Sequence, residues 1–129
     1  MPKTVLLTDD ELSLLEPLED ALKFEGINVL KANTVSKAVS ILKKNKIDLI
    51  TIDLMIDPGE ELSSLISESL PGIFLCKTIN RDYPNIDGIC LSVISDLNII
   101  REVESLGIKF IRKGETPLRT LLNIIRSRL

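Results

Sequence analysis

Histidine is absent from all 129 residues. The chain therefore has no Ser-His or Cys-His nucleophile pair, no imidazole-ligated zinc and no phosphohistidine of its own. Cysteine is scarce: Cys76 and Cys90 lie in apolar stretches without metal-type spacing and read as buried reduced thiols. None of the six glycines belongs to a G-x-x-x-x-G-K-S/T or G-x-G-x-x-G loop, so no standard phosphate cradle is present. No apolar run approaches the roughly 18 residues of a membrane span. The N-terminus lacks the charged-then-apolar layout of a signal peptide. Basic charge is not in excess either: the net charge is -3 and the pI about 5.0. That argues against direct nucleic-acid binding, because phosphate contacts need a basic face. These absences predict a soluble, cytoplasmic protein with no membrane partner.

What is present is enough apolar sequence for a core, 44% of residues, in a chain of single-domain length. One domain over 1–129 is expected. Strand and helix patterns alternate, which predicts an α/β sheet with mainly parallel strands. Lys3 to Thr8 reads as the first strand. Leu14, Leu15, Leu18 and Leu22 mark a helical face ending at Gly26. Pro17 requires that helix either to begin late, with Pro17 in its first turn, or to kink. Ile27 to Ala32 reads as a second strand, then a helix capped by Asn33 or Thr34 with Val35, Ala38, Val39 and Leu42 on its apolar face. Lys43, Lys44 and Lys46 crowd the end of that helix, where the dipole favours cations.

Ile47 to Ile52 is apolar nearly throughout, as in a strand covered on both faces. Gly88 to Ser92 and Ile108 to Arg112 read as the fourth and fifth strands, with a helix over Leu97 to Leu106 between them. A last helix carries Leu118, Leu121, Leu122, Ile125 and Leu129. Between the third and fourth strands, Asp57-Pro58-Gly59-Glu60 is a variant capping box, followed by Leu62, Leu65, Ile66 and Leu70 at helical spacing. The pattern predicts an extra short helix within 57–71, before a helix from Ile73 to Arg81.

The chemistry concentrates at strand ends. The first strand stops at Asp9-Asp10, and the third stops at Asp53. In an open parallel sheet these positions share one rim, where ligands bind. Clustered carboxylates repel one another and normally hold a hard divalent cation. Ser92 ends the fourth strand and Lys113 follows the fifth. Three acids, a hydroxyl and an ammonium suit Mg²⁺-assisted phosphoryl transfer to a carboxylate.

The ordered set Val5-Leu6-Leu7-Thr8-Asp9-Asp10-Glu11, Asp48 to Met55, Tyr83-Pro84, Ile89 to Ser92 and Gly107 to Lys113 resembles the receiver domain of two-component response regulators. The resemblance covers essentially the whole chain. It implies a doubly wound, flavodoxin-like five-stranded parallel sheet in the order 2-1-3-4-5, flanked by helices. It also implies a signalling domain rather than an enzyme, catalysing at most its own phosphorylation and dephosphorylation. A histidine kinase or phosphotransfer protein would be the phosphoryl donor, and an output partner would read the result. By position, Asp53 corresponds to the phosphoacceptor, and Asp9, Asp10, Asp53 and the Met55 carbonyl to the Mg²⁺ ligands. Ser92 corresponds to the switch hydroxyl in preference to Ser95, because it lies fifteen residues before Gly107 (107 − 92). Lys113 corresponds to the phosphoryl-pairing lysine and Phe110 to the aromatic switch.

Four features depart from the family pattern. Gly114 replaces the proline after the lysine, and Phe110 lacks the hydroxyl of the commoner tyrosine. Val93 stands where a smaller residue is usual. The segment after Asp53 is roughly ten residues longer, its third-helix glycine corresponding to Gly72. The longer segment, the missing Lys-Pro bond and Val93 motivate an alternative, a receiver-fold binding module that signals without phosphorylation.

Overall fold

Val5 and Leu7 face one side of the first strand and Leu6 the other, and all three are fully buried. That alternation builds two hydrophobic layers around one sheet. The computed structural model describes residues 2–129. Its strands are β1 (Thr4–Thr8), β2 (Asn28–Ala32), β3 (Leu49–Ile52), β4 (Asp87–Ser92) and β5 (Lys109–Arg112). They form one parallel sheet in the order β2-β1-β3-β4-β5, as expected. The helices are α1 (Glu16–Phe24), α2 (Val35–Lys44), α3 (Pro71–Asp82), α4 (Leu97–Ser105) and α5 (Leu118–Arg128).

One layer joins Leu6, Ile50, Ile52 and Cys90 to Val35, Ala38 and Leu42 of α2 and Leu75, Cys76 and Ile79 of α3. The other joins Val5, Leu7, Leu49, Ile89 and Leu91 to Leu18 and Leu22 of α1 and Leu121 and Ile125 of α5. Burying a side chain of this size contributes about 1.5–3 kcal/mol. All four residues of β3 are buried, as a central strand requires. Both cysteines are buried and free; burial pushes the Cys76 thiol up to about 12, so neither is poised to react.

Of the two places open to Pro17, the late start of the helix is the one found, and two other expectations need correction: Leu14 on the apolar helical face, and the extra helix within 57–71. Pro17 falls in the first turn of α1, preceded by a 3-10 turn over Leu12–Leu15. That turn shifts the phase of the apolar pattern, so Leu14 is 58% exposed while Leu15 is buried. The extra helix within 57–71 does not form; the segment is a run of turns. Asp57 Oδ1 accepts from the Gly59 N–H at 2.8 Å, and Gly59 has a φ of +88°, which no right-handed helix contains. Helix-like contacts there are few and scattered: the Leu62 N–H donates to the Gly59 carbonyl at 3.3 Å, and the Leu65 and Ile66 N–H groups donate to the Leu62 carbonyl at 2.9 and 3.0 Å. Leu62, Ile66 and Leu70 still pack against the α2–α3 layer, whereas Leu65 is exposed.

Candidate functional site

Parallel pairing brings the ends of β1 and β3 side by side, with Thr8 opposite Ile52. The next residues, Asp9 and Asp53, therefore leave the sheet together, and both are buried. Asp10 is exposed beside them. One carboxylate oxygen from each of the three lies within 4.8 Å of the others. The Lys113 ammonium closes the cluster, 2.5 Å from Asp9 Oδ2 and 3.5 Å from Asp53 Oδ2.

Backbone geometry fixes each group. The Glu11 N–H donates to Asp9 Oδ1 at 2.9 Å, and the Met55 N–H donates to Asp53 Oδ1 at 3.1 Å. Lys113 is placed without a following proline: its N–H donates to the Ser92 carbonyl at 2.9 Å, continuing the β4–β5 ladder by one residue. Gly72, at the start of α3, lies against the chain just past the end of β3. A Cβ there would stand 2.4 Å from both the Asp53 carbonyl oxygen and Leu54 Cα. No side chain fits in that gap, so α3 approaches Asp53 only because residue 72 is glycine.

The electrostatics follow from burial. Desolvation pushes the Asp53 pKa up. The Met55 N–H and the Lys113 charge pull it back, and Asp9 and Asp10 push it further up. Asp10 is also raised, by desolvation, by its hydrogen bond with Asp9 and by the Asp9 charge. For Lys113, desolvation disfavours the charged form, but the hydrogen bond to Asp9 and the charges of Asp53 and Asp9 outweigh it, and the pKa rises. The ammonium is thus firmly charged at neutral pH.

The donor set is all oxygen and crowded with like charge, which fits a hard divalent cation. Mg²⁺ holds oxygens at about 2.1 Å, so opposite ligands stand about 4.2 Å apart, close to the span of the cluster. Towards Asp53, Met55 presents its N–H.

Ser92 ends β4, two residues past Cys90, which pairs with Ile52. Its hydroxyl is fully buried and accepts from the Ile94 N–H at 3.3 Å. Phe110 is half-buried and packs against the α2–α3 layer with Ile94 and Ile99. Asp9, Asp10, Asp53 and Lys113 thus form one cluster, with Ser92 and Phe110 on the adjoining strands. A cavity over the cluster is lined by Asp10, Glu11, Leu14, Asp53, Met55, Val93, Lys113 and Gly114. Glu11 and Leu14 were not foreseen there; the adjacent acid pattern hid the first and the 3-10 phase shift hid the second.

Residues 5–126 match the family described as response regulator receiver domain. The chain is 32% identical over 92 residues to the transcriptional regulatory protein YvrH of Bacillus subtilis (strain 168), covering 68% of this chain and 39% of that protein. It is 32% identical over 85 residues to the phosphate regulon transcriptional regulatory protein PhoB of Pseudomonas aeruginosa, covering 66% of this chain and 32% of that one. The chain thus spans about two fifths or less of the length of these two relatives. In fold it is similar to a CheY-like receiver domain protein from Methanospirillum hungatei JF-1, with a TM-score of 0.83 at 19% identity over 99% of this chain and 94% of that one. Such receiver domains are signalling modules, and no helix among the described residues here is long and apolar enough to cross a membrane. With the strand order, the acid cluster and a family match over nearly its full length in agreement, this chain belongs to the response regulator receiver domain family.

Proposed function

We propose that this chain is a phosphoryl-accepting switch of two-component signalling, with Asp53 as the acceptor. The observation that carries the reading is the Asp53 carboxylate, only 6% exposed and flanked by Asp9, Asp10 and Lys113. A buried carboxylate of raised basicity is a better nucleophile than a solvated one. Its Oδ1 is occupied by the Met55 N–H, so Oδ2, on the Lys113 side, is the attacking oxygen.

The donor is a phosphohistidine on a kinase or phosphotransfer protein. Asp53 Oδ2 bonds to phosphorus as the P–N bond breaks; the electron pair leaves with the donor imidazole, which takes up a proton. Lys113 turns to the phosphoryl oxygens, and the Ser92 hydroxyl exchanges its bond from the Ile94 N–H for one donated to phosphate. Phe110, lacking a hydroxyl, follows by packing alone. Asp9, Asp10, Asp53 and the Met55 carbonyl would hold Mg²⁺, which would offset the charge of the acids and supply Lewis-acid stabilisation to the phosphoryl group. Leu14, Met55 and Val93, exposed on the cavity wall, give a donor protein apolar surface to dock on.

Beryllofluoride with Mg²⁺, which mimics the phosphoryl group, tests the switch. Amide shifts should appear at Ser92, Phe110 and along α4, β5 and α5 in the wild type and be absent in Asp53→Asn. Shifts confined to the acids would mean that Asp53 binds without switching.

A further inference from the structure

The segment after Asp53 does something other than form a helix: it caps α2. The first N–H groups of a helix have no partner within it. In α2 they find partners in the segment that follows the phosphoacceptor. The Asp57 carbonyl accepts from the Val35 N–H at 2.9 Å, and the Pro58 carbonyl accepts from the Ser36 N–H at 3.1 Å. Thr34 and Asp57 form a parallel β-bridge, and the Thr34 hydroxyl accepts from the Lys37 N–H at 3.0 Å. The Ser36 hydroxyl donates to Glu61 Oε2 at 2.9 Å, placing a carboxylate at the positive end of the helix. Gly59 completes the clasp. A Cβ there would stand 2.8 Å from Ser36 Cβ and 3.3 Å from Thr34 Cβ, and its φ of +88° already excludes most side chains.

This clasp lies a few residues from the chemistry. Leu54 and Ile56 are fully buried, so the chain between Asp53 and Asp57 has little freedom. The Gly72 N–H donates to the Leu54 carbonyl at 3.0 Å on one side of Met55. The Asp57 and Pro58 carbonyls are held by α2 on the other. The Met55 peptide, whose N–H binds Asp53, is therefore pinned at both ends.

We propose that Ser36 and Gly59 are positioning residues for the acid site, holding the Met55 peptide in place from the N-terminus of α2 and so setting the affinity for the divalent cation. The proposal rests on the reading of the acid cluster as a cation site with the Met55 carbonyl as a ligand. Coupling is reciprocal: a cation that draws on the Met55 carbonyl tightens the clasp, and slows hydrogen exchange at Val35 and Ser36. Groups that hold a metal ligand typically change affinity by about 10–100-fold, and the clasp acts one step further out. We expect about a fivefold loss in Gly59→Ala and about a twofold loss in Ser36→Ala.

The test is a Mg²⁺ titration followed by amide shifts of the acid cluster, with exchange at Val35 and Ser36 measured with and without the ion. Asn45→Ala serves as the control, because it removes a bond to the Ile41 carbonyl at the opposite end of α2. The expected result is weaker Mg²⁺ binding in both clasp variants, unchanged binding in Asn45→Ala, and Mg²⁺-dependent protection in the wild type. Unchanged affinity in Gly59→Ala and Ser36→Ala, with no protection, would overturn the proposal while leaving the cation site intact. A wild type that does not bind Mg²⁺ would overturn both.

Discussion

The Lys113 ammonium is closer to Asp9 than to Asp53, 2.5 Å against 3.5 Å. The lysine thus shares its single positive charge between the two buried acids and offsets part of their repulsion. It would also compete with a bound divalent cation for the same oxygens. Lys113→Met should therefore split two properties: Mg²⁺ affinity rises by about threefold to tenfold, because a positive charge is removed, while phosphorylation of Asp53 slows. Titration calorimetry and phosphorylation rates measured on one preparation check the split. A fall in both would mean that the lysine is needed to organise the acids.

The wall of the cavity is apolar where an attacking water would enter. Met55 is 52% exposed and Val93 58% exposed on it. Neither can orient water, so the acyl phosphate should be long-lived. Met55→Asn should shorten its lifetime about tenfold, less than the roughly 10²-fold or more of a general base, because an amide orients the water without taking its proton. The decay of labelled phosphoprotein measures this. Ile94, two residues past Ser92, packs against the core and donates its N–H to the Ser92 hydroxyl. Ile94→Glu should cost stability rather than speed hydrolysis.

Gly72→Ala should be among the most damaging small substitutions. Its methyl would meet the Asp53 carbonyl oxygen and Leu54 Cα, which are backbone and cannot swing aside. Either α3 shifts or the Asp53 loop does, at about 3 kcal/mol. Denaturant unfolding gives the cost. Phosphorylation of the folded fraction should also fall, which a purely global loss of stability would not produce.

Glu19 gives the fold a pH dependence separate from the site. It is buried, and accepts from Lys23 at 2.7 Å and Lys31 at 3.1 Å, joining α1 to β2. The hydrogen bond from Lys23, then that from Lys31, holds its carboxyl below the usual carboxylate range. A lowered folded pKa contributes stability above the unfolded value, about 4.3, and loses it as pH falls through the folded value. Glu19→Gln should lower Tm by a few degrees at neutral pH. The gap should close as pH falls below the folded value, where both proteins carry a neutral group. A gap that persists there would mean that the effect is packing.

The strand order and the acid cluster were legible because both rest on short-range rules. Buried parallel strands are apolar on both faces, and the residue after such a strand reaches the rim. The segment from Asp57 to Leu70 was not legible in the same way. Its composition obeys helix rules, with a capping acid, a proline and leucines at helical spacing. Long-range bonds decide it instead: the Asp57 and Pro58 carbonyls go to α2, and a left-handed Gly59 breaks the pattern. Leu14 was misplaced for a related reason. The 3-10 turn before Pro17 rotates it off the face that Leu15, Leu18 and Leu22 share. In both places the missing information is which backbone groups are already taken, which periodicity does not encode.

The central claim is that Asp53 accepts a phosphoryl group with the help of the acids and lysine around it. Incubation with acetyl phosphate and Mg²⁺, followed by intact mass, tests it most directly. One added phosphoryl group is expected on the wild type, none on Asp53→Asn, and none when Mg²⁺ is chelated. An unmodified wild type, or equal labelling of Asp53→Asn, would contradict it and leave the chain a receiver-fold binding module.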